Sequence, residues 1–187
     1  MPSTLKNGGF GKGKTVSGGV HGELREYRIA NGLATNLMPG DAVALNGTGT
    51  LVKVSTSTQV PLGVFVGLRP EGQNTFVPAH YFASGASVKN STNTYRALVN
   101  ADPTAIFEAQ FDGSVSAGDV GLYFDVADTS GGDTIFGVST MRVHASSRSS
   151  TSTDGVVQLV EISTLEGNDV TDAYPYGVFK FMNPKLG

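Results

Sequence analysis

One segment near the start of the chain matches a pattern that binds phosphate in many proteins. Gly8 is followed by Gly13, Lys14 and Thr15 at the spacing GxxxxGK[ST]. In such a loop, backbone N–H groups and the N-terminus of a following helix surround the phosphates, and the Thr hydroxyl binds Mg²⁺. Here residues 16–22 read VSGGVHG, which is too rich in glycine to sustain a helix. We therefore interpret the match as a coincidence and predict no nucleotide cofactor.

The histidines and serines show no spacing that predicts catalysis. The three histidines, His21, His80 and His144, are far apart, and none has a second ligand at metal-site spacing. No GxSxG pattern marks a serine nucleophile, so a Ser–His–Asp set could be chosen from this chain only arbitrarily. Cys is absent, which excludes thiol nucleophiles, thiolate metal sites and disulfides.

The acidic residues are explained by turn chemistry. Asp112 and Asp119 flank a Gly/Ser turn, where Asp is favoured on local grounds alone. Asp125, Asp128 and Asp133 lack the spacing and the closing Glu of a calcium loop. The sequence therefore predicts no catalytic residue, no metal site and no cofactor. We do not expect an enzyme; a hydrolase using scattered Asp and His residues is the minor alternative.

Composition indicates an all-β protein. Only 16% of the 187 residues are charged, 25 are Gly, and Ser and Thr fill the gaps between short apolar runs. Helix interiors disfavour these residues, whereas strands joined by tight turns accommodate them. The net charge is −3, so we expect no nucleic acid or membrane partner. A basic first stretch and an acidic middle suit contacts with a partner or another copy, or are simply solvated loops.

Short strand patterns recur along the chain and predict a compact β-barrel or β-sandwich. Turn residues such as Pro39-Gly40-Asp41 and Asn46-Gly47 separate them. Residues 145–154 read ASSRSSTSTD, which predicts an exposed loop. The predicted strands are Leu24–Ile29, Ala42–Leu45, Leu51–Val54, Leu62–Leu68, Thr75–Phe82, Tyr95–Asn100, Ala105–Phe111, Val120–Val126, Met141–His144, Gly155–Ile162 and Tyr176–Phe181.

The two ends of the chain differ from its middle. Residues 1–22 are rich in glycine and show no strand or helix periodicity, so we predict a flexible N-terminal arm preceding a β-rich body over residues 23–187. Near the C-terminus, an aromatic run is either the final core strand or a contact between subunits, because interface cores are rich in aromatic residues. Its members are Tyr174, Tyr176, Phe179 and Phe181.

Several strand-and-turn phrases resemble those of a family of tailed-phage head proteins. The clearest runs from Asn100 to Gln110 (NADPTAIFEAQ) and is followed by Ser116–Gly121 (SAGDVG). Two earlier phrases, Pro39–Val43 and Pro61–Gly67, also resemble that family. The similarity covers about residues 37–126, and the glycine-rich arm differs from the family's usual opening.

This resemblance implies a capsid decoration, or cement, protein with a β-tulip-like or jelly-roll-like body. Such proteins bind the outside of a phage head, stabilise contacts between major capsid protein subunits, and form trimers more often than dimers. The protein would then be assembled in the bacterial cytoplasm and located on the outer capsid surface of the virion. We expect capsid contacts from the arm, at Lys6, Phe10, Lys12, Lys14 and Val16. A head fibre, a tail component or a glycan-binding surface module is the alternative.

Overall fold

The chain folds into two antiparallel β-sheets, which confirms the predicted all-β class. The computed structural model describes residues 9–11, 14–15, 24–55, 59–71, 81–87, 94–129 and 131–182. A single turn of 3-10 helix at Ala117–Asp119 is the helical element within these ranges. The strands are β1 (Lys14–Thr15), β2 (Leu24–Arg28), β3 (Ala42–Leu45), β4 (Leu51–Lys53), β5 (Pro61–Pro70), β6 (Tyr95–Asn100), β7 (Ala105–Gln110), β8 (Tyr123–Ala127), β9 (Arg142–Ser149), β10 (Val157–Ile162) and β11 (Tyr176–Phe181).

The smaller sheet has five strands in the order β2-β6-β5-β3-β4, and the larger has six in the order β1-β7-β11-β10-β8-β9. The larger sheet curls so that its far strand returns to β7, through a bridge between Phe111 and Val143 and a hydrogen bond from Asp112 N to Val143 O of 3.0 Å. The architecture is therefore a β-sandwich whose larger sheet is partly closed.

Alternation along the strands divides the apolar side chains into two clusters on opposite faces of the smaller sheet. On β3, Ala42 and Ala44 face the larger sheet, whereas Val43 faces away from it. The first cluster, between the sheets, contains the large aromatic side chains of β7, β8 and β11. The second cluster is covered by residues 29–38 and 81–87. The smaller sheet is consequently buried on both faces over much of its area.

One predicted loop is a strand. β9 continues through residues 145–149, and the loop predicted over residues 145–154 is confined to its second half. Pairing of β9 with β8 supplies backbone partners that outweigh the weak strand preference of Ser. The predicted strand Thr75–Phe82 falls mostly outside the described residues, although Phe82 bridges Leu37.

Phe10 lies in the core, which corrects the expectation that its ring is a surface contact. It is 2% exposed and packs against Phe181, with ring centroids 5.3 Å apart, and against Phe179 at 6.4 Å. Its backbone N donates to Gly40 O at 2.8 Å. Four residues later, β1 pairs with β7. The segment predicted as a free arm thus contributes an aromatic anchor and an edge strand to the body.

The other residues proposed for capsid and subunit contacts divide into three groups. Lys6, Lys12 and Val16 lie outside the described residues, and Lys14 is described only through its backbone in β1. Phe179 and Phe181 are core residues, so the core-strand interpretation is correct for them and the subunit-contact interpretation is not. Tyr174 and Tyr176 are half-buried.

We expect Phe10→Ala to lower the free energy of unfolding by about 3 to 5 kcal/mol, the usual loss for a buried Phe. Urea denaturation followed by circular dichroism measures this change. Leu165→Ala is the matched control, because Leu165 is 46% exposed and its removal leaves no cavity. Equal losses for the two variants would contradict the placement of Phe10 in the core.

Candidate functional site

The most unusual surface feature is an apolar loop tip between β8 and β9. Ile135 and Phe136 are 87% and 75% exposed, more than any other large hydrophobic residue in the described part of the chain. Single exposed apolar side chains are common, and two adjacent ones at this exposure make this loop tip the candidate contact site. We call residues 131–140 the presentation loop.

The tip of the presentation loop is held by hydrogen bonds of its own. Asp133 and Val138 form an antiparallel bridge, with Asp133 N donating to Val138 O at 2.8 Å. The Asp133 carboxylate accepts from the backbone N–H groups of Ile135 at 3.0 Å and Phe136 at 3.1 Å. Gly137 closes the turn with φ 64°, a backbone conformation that glycine adopts without strain. The two apolar side chains are therefore presented on a defined backbone.

Both ends of the presentation loop are fastened to a buried ion pair. Lys53 Nζ lies 3.0 Å from Asp41 Oδ2, with the two side chains 3% and 0% exposed. Lys53 also donates to Gly131 O at 2.7 Å, where the loop begins to rise. At the other end, Ser139 Oγ donates to Asp41 Oδ1 at 2.5 Å. The same pair of charges thus fixes both ends of the loop, Gly131 and Ser139, which we call its feet.

Burial works against the charged form of Asp41. Burial raises the pKa of Asp41 above its ordinary value, against the opposing effects of the Lys53 charge and hydrogen bonds from Ser139 and the Met38 N–H. For the Asp41 carboxylate, the effect of desolvation is larger than the opposing effects of Lys53 and the hydrogen bonds. Buried pairs of this kind are weak sources of stability and stronger sources of geometry. The pair accounts for the position of the loop.

Close backbone packing adds to this fastening. Gly132 has φ 157°, and a side chain there would approach the Met38 side chain to 2.6 Å. At the Ser139 foot, a Cβ atom added to Gly9 would lie 2.4 Å from Gly40 O and 2.5 Å from Ser139 Cβ. The N-terminal segment therefore crosses directly over the foot of the presentation loop, which explains why Gly is needed at position 9.

An apolar groove of about 280 Å³ opens beside the same foot. Apart from Asn100, the described side chains that line it are apolar, and they include Phe10, Pro39, Val64, Val66, Phe107 and Val138. Val138 belongs to the presentation loop, so tip and groove are neighbours. No charged side chain contributes to this lining, which suits an apolar occupant rather than a polar substrate.

A second polar arrangement brings together three residues that the sequence could not connect. His144 Nδ1 lies 2.6 Å from Asp112 Oδ2, and Ser146 Oγ lies 2.9 Å from His144 Nε2. This is the order of contacts found in serine hydrolases. Ser146 is exposed on β9, however, and the lining of the apolar groove does not include it. The order of contacts alone does not make a catalytic site, which also requires a substrate groove and oxyanion donors.

Asp112 and His144 have a structural explanation. Asp112 Oδ1 accepts from Ala145 N at 2.8 Å, and Asp112 N donates to Val143 O. These bonds join the end of β7 to β9, where the larger sheet curls back on itself. We therefore interpret Asp112 and His144 as a latch that closes this sheet.

The remaining candidates for chemistry stay apart or lie outside the described residues. His21 and His80 are among the undescribed residues, and Lys14 and Thr15 form a strand rather than the start of a helix. Within the described ranges, no group of three or more His, Asp or Glu residues is placed to hold a metal ion. In the same ranges, no helix has the length and hydropathy needed to span a bilayer.

Comparison with known proteins adds no family. No family model, no curated protein and no solved structure matches this chain. Function must therefore be inferred from the residues themselves.

The presentation loop was not identified from the sequence. A usable signal was present: Ile135-Phe136 lies between Asp133 and Gly137, which are turn residues, and so outside any alternating strand pattern. Two large apolar residues at the top of a turn have no core to enter. The buried role of Asp41 had no comparable signal, because Asp after Pro-Gly is an ordinary turn residue.

We expect Asp41→Asn and Lys53→Met each to lower the free energy of unfolding by about 3 to 5 kcal/mol, because each leaves one buried charge without its partner. The double variant removes both charges, so its loss is expected to be smaller than the sum of the two single losses. Urea denaturation of the four proteins measures the coupling. As a control, Glu26→Gln in the exposed pair with Arg69 should change stability by less than about 1 kcal/mol. Additive losses would refute a coupled pair.

The latch interpretation predicts different effects for Asp112 and Ser146. Asp112→Ala removes the acceptor for Ala145 N and the partner of His144, so we expect a loss of about 1 to 3 kcal/mol. Ser146→Ala removes one exposed hydrogen bond and should stay within about 0.5 kcal/mol of the wild type. Hydrolysis of p-nitrophenyl acetate is measured in parallel. Ester turnover that Ser146→Ala abolishes would replace the latch with a catalytic relay.

Proposed function

We propose that the chain is a non-enzymatic structural protein of a tailed-phage virion, a decoration protein that binds the outer surface of the head. It would stabilise contacts between subunits of the major capsid protein. The strand-and-turn phrases over residues 37–126 suggest the family, and the β-sandwich is compatible with it. A protein with this role needs a rigid body and contact surfaces.

The observation that carries the proposal is a preformed contact for protein assembly, the presentation loop, whether its partner is a second copy or the capsid. Ile135 and Phe136 are held in solvent by the Asp133 carboxylate and by two feet fastened to the Asp41–Lys53 pair. A preformed apolar contact loses little conformational entropy on association, so such a device favours assembly. The other large hydrophobic residues that are exposed in the described ranges, Leu24, Val120, Val160 and Leu165, are at most about half exposed.

Phe10 changes how an N-terminal contact with the capsid would work. Since its ring is anchored in the core, the proposed capsid contacts of the N-terminal segment are left to Lys6, Lys12, Lys14 and Val16. The Phe10 anchor would connect such contacts directly to the body. We test residues 1–7 of this segment first, because they can be removed while Phe10 stays in place.

The proposal is tested by co-sedimentation of the purified protein with heads of the encoding phage that lack it. We expect saturable binding, and at least a tenfold weaker affinity when residues 1–7 are removed. Removing this segment leaves Phe10 in place, whereas deletion of residues 1–22 would also take out a core residue and β1. Circular dichroism melting verifies that the shortened protein is folded.

Two outcomes would contradict this function. Absence of binding to heads by the folded wild-type protein excludes a decoration role. Binding to defined glycans on an array, without affinity for heads, would instead identify a surface-recognition module of the phage. Full binding by the shortened protein would retain the decoration role and exclude residues 1–7 from it.

A further inference from the structure

We propose that the tip of the presentation loop inserts into the apolar groove of a second copy of this chain. The tip is formed by Ile135 and Phe136, and the groove is the one lined by Val64, Val66 and Phe107. This inference concerns association of the protein with itself and stands independently of any capsid.

The groove has the size and chemistry to receive an aromatic ring. Its volume is about 280 Å³. A cavity of about 150 Å³ lined by apolar side chains is enough to bind benzene. The lining contributes no charge, and Asn100 supplies its one polar side chain among the described residues. Phe136 could therefore be buried there without removing a charged group from water.

The tip has the complementary properties. Its backbone is fixed by two bonds to the Asp133 carboxylate, so the Phe136 ring and the Ile135 side chain project together. Rigid apolar anchors that enter a partner's pocket dominate the energetics of protein interfaces. Because tip and groove lie on the same polypeptide, every copy brings both halves of the contact at equal concentration.

The tip and the groove are neighbours on one chain, which limits how copies can assemble through them. Val138 lines the groove and ends the turn that carries the tip. The tip does not occupy its own groove, because Ile135 and Phe136 are exposed and neither lines it. A tip-to-groove contact between copies closes either as a two-fold dimer, in which each tip enters the other copy's groove, or as a ring when the rotation per subunit allows it.

Light scattering coupled to size exclusion tests the association. We expect the full chain to have a mass that is a multiple of 19.4 kDa. The variant Ile135→Ser/Phe136→Ser should dissociate to the monomer, with at least a tenfold rise in the dissociation constant. Leu165→Ser is the matched control, because it removes an exposed apolar side chain elsewhere and should keep the wild-type mass. A monomeric wild type, or an unchanged mass in the double variant, would overturn the proposal.

Cross-linking tests which surfaces meet. The chain contains no Cys, so two single-cysteine variants, Ile135→Cys and Val66→Cys, can be mixed without background thiols. With diamide as the oxidant, we expect a disulfide-linked dimer in the mixture that reducing agent removes. Leu165→Cys mixed with Val66→Cys should give at least tenfold less. Equal yields from the two mixtures would overturn the assignment of the groove.

Other occupants of the tip have distinct signatures. Binding of the wild type to phosphatidylcholine vesicles, lost in Ile135→Ser/Phe136→Ser while the protein is monomeric, would replace the second copy with a lipid surface. Loss of head binding in that variant, with the oligomeric mass unchanged, would place the tip against the capsid instead. Both results overturn self-association through the tip, and only failure of the wild type to bind heads bears against the decoration role.

Discussion

The buried ion pair between Asp41 and Lys53 is the constraint on which the surface of this protein depends. It lies where β3 and β4 meet the connection from β8 to β9, and it takes one hydrogen bond from Ser139 and gives one to Gly131. The raised pKa of Asp41 shows that burial opposes its charge. The pair's hydrogen bonds to Gly131 and from Ser139 fix a local geometry. Here that geometry is the position of the presentation loop.

A second constraint comes from the aromatic cluster between the sheets. Phe107, Phe179 and Phe181 lie on neighbouring strands of the larger sheet, and Phe10 closes the cluster from the N-terminal side. The Phe10 backbone bonds to Gly40, one residue before the buried Asp41. The aromatic cluster and the ion pair are therefore joined through the Pro39-Gly40-Asp41 turn. A disturbance of Phe10 should reach the foot of the loop through this turn.

The strands were predictable because alternation and turn residues are local signals. Ala42–Leu45 and Tyr176–Phe181 were predicted at their observed bounds, since each is a short apolar run beside a turn. The strand over residues 145–149 was missed because Ser-rich sequence has no strand signature of its own. It forms only when β8 offers backbone partners, and that information is tertiary.

The sites were less predictable for the same reason. Phe10 sits among glycines that favour a loose chain, yet a pocket between distant strands receives its ring. The partnership of Asp112 with His144 spans 32 positions and depends on how the larger sheet curls. Burial of Asp41 depends on Lys53 and Ser139 arriving from two other segments. Contacts between residues this far apart in the chain cannot be predicted from a single sequence.

A fixed direction of the loop tip matters more for a ring of subunits than for a dimer. Closure of a heterologous contact requires the same rotation at each interface, so small errors in the direction of the tip accumulate around the ring. A mobile tip would allow open chains of subunits as well as rings. The Asp41–Lys53 pair and the Asp133 carboxylate restrict that direction at the feet and at the turn, respectively. If the tip joins subunits as proposed, a dimer or a closed ring would carry several copies of any contact that one chain makes. Several weak contacts made together bind far more tightly than one.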